Sequence, residues 1–163
     1  MKALLITFFC LVSFSLFSQS KVEKEFVIPQ EEVPDSALSI IHQNFPDSKI
    51  KWIKEIGLND SSIEAKFKYD GYKISAEFSS LGSFQDLELE IDLSNIHKEV
   101  RTDIDSSLKS TFGKYKVLKV QAQFTNIAIL ESKDFNSQKA PYYELVISTK
   151  ENGEYVKYEC LFD

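Results

Sequence analysis

The chain has 163 residues, with 19 Lys and Arg against 25 Asp and Glu and a formal charge of −6. An acidic surface repels nucleic acid phosphates and anionic lipid, so the charge argues against both as partners. Hydrophobic content of 43%, with no low-complexity tract, argues against a disordered chain.

The N-terminus reads "MKALLITFFCLVSFSLFSQS". One basic residue, Lys2, precedes an uncharged apolar run from Ala3 to Phe17 and then small polar residues, the order of a secretory signal peptide. The run is short of the roughly 20 residues of a membrane span. Cleavage after Ser18 or after Ser20 puts a small residue at the cut, and loss of Lys2 takes the formal charge to −7. Thr7, Phe8 and Phe9 before Cys10 do not form a lipobox, so the expected product is soluble and periplasmic or secreted, with no stable membrane span after cleavage. Cys160 is then the one cysteine left, and the fold must stand on packing without an internal disulfide. Residues 21–32, charged and containing Pro29, read as a linker.

Beyond the linker, a shift of 67 residues superposes two patterns of helix then strand. Val33 falls on Val100, Ala37 on Ile104, Ile41 on Leu108, Phe45 on Phe112, Ile50 on Val117 and Ile53 on Val120. A spacing of four places Val33, Ala37, Ile41 and Phe45 on one helical face. Pro34 suits the first turn, and Pro46 and Gly113 stop the two helices. Ser94 offers a hydroxyl cap from which the second helix can start.

A hairpin follows in each half. "IEAKFKYDGYKISAEF" alternates without a break around Asp70-Gly71, a pair suited to the positive φ of a two-residue turn. Ile63, Ala65, Phe67, Tyr69, Tyr72, Ile74, Ala76 and Phe78 form its inner face, which the preceding helix must cover. "YYELVISTKENGEYVKYECLF" is the second hairpin, with Asn152-Gly153 in a looser turn and Tyr143, Leu145, Ile147, Val156, Tyr158, Cys160 and Phe162 inward. Phe124 to Pro141 is inserted between strand and hairpin in the second half alone.

These features carry a family resemblance. "VPDSALSIIHQNFPDSKIKWI" with "YDGYKISAEFSSLGSFQDLELEID", and "VRTDIDSSLKSTFGKYKVLKV" with "NGEYVKYECLFD", resemble the PepSY-like family of exported bacterial proteins, related in architecture to beta-lactamase inhibitor protein. The resemblance implies an α+β fold of two tandem repeats, each a helix on an antiparallel sheet, over residues 33–92 and 93–163. It also implies a binding or inhibitory role, and it offers no catalytic residues to carry over.

The residues themselves point the same way. His42 aligns with Lys109 and reads as a solvated position, and His97 has no second ligand at helical spacing. Cys160 alternates in phase with its apolar neighbours and lacks a visible base, while the serines lie in no nucleophile elbow. No enzyme, cofactor or metal is therefore expected. "DLELEID" sets Asp86, Glu88, Glu90 and Asp92 on one strand face, which fits a solvated edge strand or a site for a cation or basic partner.

Binding is expected on the outward face of the hairpins. Lys66, Lys68 and Lys73 make it basic in the first half, and Tyr142 and Tyr155 make it aromatic in the second. Trp52 aligns with Lys119 and is expected outward, opposite in sense to Ile53. Exposed Trp and Tyr on a rigid sheet serve as interface anchors, but an extra core layer, or cover by the insertion, also fits these aromatics. The expected partner is another envelope or extracellular protein; a small-ligand or cation carrier is the alternative.

Overall fold

A computed structural model describes residues 17–19, 24–57 and 60–163. Among them nine strands form one antiparallel sheet, in the order β1-β9-β8-β7-β6-β5-β4-β3-β2. They are β1 (Phe17–Gln19), β2 (Lys24–Val27), β3 (Lys51–Ile56), β4 (Ser61–Tyr69), β5 (Tyr72–Ser79), β6 (Phe84–Glu90), β7 (Tyr115–Phe124), β8 (Tyr142–Glu151) and β9 (Glu154–Phe162). Helix α1 (Asp35–Asn44) precedes β3, α2 (Lys98–Phe112) precedes β7, and α3 (Ala128–Ser132) lies in the connection from β7 to β8.

The sequence explains each of these elements locally. Ala37 and Ile41 of α1 and Ile104 and Leu108 of α2 are buried, as a four-residue stripe requires. The chain leaves α1 at Phe45, ahead of Pro46, and leaves α2 through Gly113 at φ 68°. Both hairpin turns take positive φ at two successive residues, Asp70 and Gly71 in one and Asn152 and Gly153 in the other. Residues 151 and 154 pair directly, so the second turn is as tight as the first rather than loose.

One apolar cluster runs under the whole sheet, from Trp52, Ala65, Phe67 and Ile74 through Leu87 and Leu89 to Ala122, Leu145, Ile147 and Phe162. The insertion joins this same layer. Ile129, Leu130 and Phe135 are buried, Phe135 stacks edge-on against Tyr69 and Tyr72 at 6.4 and 5.9 Å, and the Tyr143 hydroxyl donates to the Ser137 carbonyl. It therefore covers the helix side of the sheet and does not cover the outward face.

Several expectations change. The apolar run of the leader lies outside the described residues except for Phe17, but Phe17–Gln19 pairs as β1 with β9, so cleavage after Ser18 or Ser20 cuts or removes this edge strand. The stretch taken for a linker contains β2, hydrogen-bonded to β3. Ser94 falls in a short 3₁₀ turn, Leu93–Asn95, and α2 starts after His97 instead. Strand β6 lies between β5 and β7, so its carboxylates are at the middle of the sheet and not at an edge.

Trp52 is the largest correction. It pairs with Ala65, faces the core at 4% exposure, and approaches Phe78 at 6.4 Å between ring centroids, while Ile53 takes the outward side opposite Glu64. The reason is a β-bulge between Val117 and Lys119. One extra residue in β7 shifts its phase relative to β3, and a one-residue slip turns every later side chain to the other face. Trp52→Ala should thus cost about 3–5 kcal/mol in urea unfolding, the usual range for a truncated core aromatic. Tyr155→Ala, at a residue 80% exposed, should stay within about 0.5 kcal/mol.

Candidate functional site

The outward face is built from the other half of the strand alternation. Lys51 of β3 stands directly opposite Lys66 of β4, and Lys68 of β4 directly opposite Lys73 of β5. The chain between α1 and β3, through Asp47, Ser48 and Lys49, walls one side, and Glu90, Lys119 and Gln121 reach the groove from β6 and β7. Together they enclose about 850 Å³, within the range of small-molecule sites. Six lysines against one aspartate and one glutamate make this groove basic on an acidic protein.

Two of these lysines are tied down. Lys66 Nζ lies 2.8 Å from Glu64 and 3.5 Å from Glu25, and Lys73 Nζ lies 2.7 Å from Glu90. Burial pulls the Lys66 pKa down, but the hydrogen bond and charge of Glu64, with Glu25 and Glu55 behind it, outweigh burial and hold it above its ordinary value.

Beside the lysines lies an acidic strip that includes Glu64, Glu77, Asp86, Glu88 and Glu144. Glu88 accepts a hydrogen bond from Gln121 Nε2. Burial first, then the charges of Glu144 and Asp86, push its carboxyl well above the usual carboxylate range, with Lys119 opposing. At the far end Glu25, Glu55 and Glu64 bring carboxylate oxygens within 4.8 Å of one another, close enough to hold a metal ion. The ammonium of Lys66 already lies against two of the three and supplies countercharge.

Of the residues singled out in the sequence, the fold brings together Lys66, Lys68 and Lys73 and separates the aromatics. Tyr142 is half-buried at the start of β8, while Tyr155 pairs with Lys150 near the opposite end of that strand, about 27 Å away at the strand rise. Trp52 is in the core. His42 is exposed on α1, His97 is exposed just ahead of α2, and Cys160 is buried. Lys51, Lys119 and Gln121 were not singled out for this face. Alternation within β3 and β7 is the signal that could have found them, had the bulge in β7 been known.

The geometry defines a class: an antiparallel sheet with helices on one face and a charged groove on the other. No family model and no curated protein matches the sequence. Solved structures do. A DUF2874 family protein from Bacteroides ovatus aligns over 79% of each chain at 14% identity with a TM-score of 0.50. A candidate periplasmic protein from Bacteroides eggerthii aligns over 80% of this chain and 81% of its own, at 16% identity and a TM-score of 0.50. A BLIP-like protein from Bacteroides fragilis aligns over 80% and 79% at 18% identity, with a lower TM-score of 0.46. The first two likenesses show a common fold. No helix among the described residues is long and apolar enough to cross a membrane.

Glu88 gives the face a pH dependence with a definite sign. Its folded pKa is raised, so its stabilising contribution is fully present below the unfolded value of about 4.3 and is lost as pH rises through the elevated folded value. Glu88→Gln should accordingly raise Tm at pH above the elevated folded value and flatten the decline of Tm as pH climbs from the unfolded value of about 4.3 through it. A Tm profile by differential scanning calorimetry that is identical in both proteins would remove Glu88 as its source.

Proposed function

We propose that the chain is an exported, non-enzymatic binding protein of two PepSY-like repeats whose outward sheet face docks another envelope or extracellular protein. The observation that carries this reading is a sheet face on which, among the described residues, no helix packs. The apolar stripes of the helices and of the insertion all join the layer under the other side of the sheet, leaving a rigid, charged surface with a groove of about 850 Å³. A sheet locked by one continuous core loses little entropy on docking, which favours recognition by a preformed surface. Separated exposed histidines and a buried cysteine support a role without covalent chemistry.

The charge pattern supports a partner that presents acidic groups to the lysines. Charge complementarity sets specificity and association rate more than raw affinity, so the basic groove guides the encounter, and Tyr142 adds contact area elsewhere on the same outward face. Lys68→Glu with Lys73→Glu should abolish capture of a partner from envelope and culture fractions while leaving Tm within a few degrees of the parent. Equal capture by parent and folded variant, or no partner for either, would refute docking at this groove.

A further inference from the structure

Three lysines of the groove, Lys49, Lys51 and Lys68, form no ion pair among the described residues. Two like-charged pairs also stand directly across from one another, Lys51 with Lys66 and Lys68 with Lys73. Such cross-strand pairs are destabilising, and they occur in adjacent rows, about 7 Å apart along β4. Lys66 is held by Glu64 and Glu25 and Lys73 by Glu90, so the local positive charge comes from Lys49, Lys51 and Lys68, on a protein that is otherwise acidic.

A second observation lies at the other end of the same groove. Gln121 is 4% exposed, its Nε2 donates to Glu88, and its Oε1 has no hydrogen-bond partner. A buried acceptor left unpaired is costly, and Gln121 lines the groove. It pairs with Glu90 of β6, whose carboxylate holds Lys73 of β5, so it lies two interstrand spacings, about 10 Å, from the lysine rows. The groove thus asks for a concentrated anionic group at one end and a hydrogen-bond donor at the other.

We propose that the groove is a ligand site for a hydroxyl-bearing phosphomonoester, of which a sugar phosphate is the simplest form. The phosphate is held by Lys51, Lys66, Lys68 and Lys73, and a ligand hydroxyl donates to Gln121 Oε1. A phosphate presents nearly two charges and three acceptor oxygens at one centre, which suits several ammoniums converging as point charges. A single carboxylate offers half the charge. The proposal rests on the reading of the outward face as the binding face, but it requires no protein partner.

The test is calorimetric titration of the full-length chain at low salt with glucose 6-phosphate, inorganic phosphate, gluconate and glucose. Saturable binding of glucose 6-phosphate is expected, at least tenfold tighter than inorganic phosphate or gluconate, with none for glucose. Lys51→Gln with Lys68→Gln, both at exposed positions, should weaken it at least tenfold without lowering Tm. Flotation with phosphatidylcholine vesicles containing lipid A distinguishes a lipid-borne sugar phosphate from a free one: binding to those vesicles alone assigns the lipid-borne source and sustains the site. Binding to neither, equal binding by the double variant, or inorganic phosphate matching glucose 6-phosphate overturns it. Loss of protein capture in the charge-reversed variant without any sugar phosphate binding would sink this site and leave protein docking standing. Sugar phosphate binding with unchanged capture would do the reverse.

Discussion

Because the helices and the insertion pack on one face of a single sheet, the period-two alternation of each strand divides the molecule into an apolar layer and a polar one. The inner half supplies the continuous cluster from Trp52 to Phe162, and the outer half is mostly charged and polar, with Ile53, Val146 and Leu161 among them. That single constraint fixes the rest. Lys51, Lys66 and Lys73 share a surface because their strand neighbours Trp52, Ala65, Phe67 and Ile74 must be buried together. The groove is a by-product of the core's register.

The same constraint explains why charge on this face is not merely solvated. In a sheet with edges far away, a residue on a central strand is flanked on both sides, and Glu88 on β6 meets the carboxylates of both neighbouring regions. Crowding and burial raise its proton affinity, whereas Lys66, close to Glu64 and Glu25, keeps its proton more firmly. Both shifts stabilise fewer net charges per unit area. Lys51 and Lys68, which form no ion pair among the described residues, remain as positive charge in the groove.

How much of this was legible in the sequence depended on whether the relevant information was local. The Asp70-Gly71 hairpin was readable because turn chemistry and alternation lie within sixteen consecutive residues. Both helices were readable from four-residue spacing, to within the few residues where Ser94 lost to His97 as the helix boundary. The placement of Trp52 was not, since it was inferred by alignment with β7, and the bulge at Val117 and Lys119 breaks the phase of that strand. A bulge leaves no composition signal when its residues are Val, Leu and Lys. The mid-sheet position of β6 was equally hidden, because strand order is set by the pairing of Leu87 with Phe124 and Glu90 with Gln121 across thirty or more residues of intervening chain.

That β6–β7 junction also determines what the outward face can be. Without it, two separate sheets would each present a small charged patch and one further edge. With it, Glu90 and Gln121 become direct neighbours, and the lysine rows of the first half run on into the polar face of the second. Gln121 can then hold Glu88 through its amide nitrogen while lining the groove, its buried Oε1 left without a partner. The strands are rigid enough to keep these groups in register, since the residues between them, Leu87, Leu89, Val120 and Ala122, are locked into the common core. A recognition surface that spans both halves therefore depends less on any one charged residue than on the apolar contacts that prevent the two halves from moving apart.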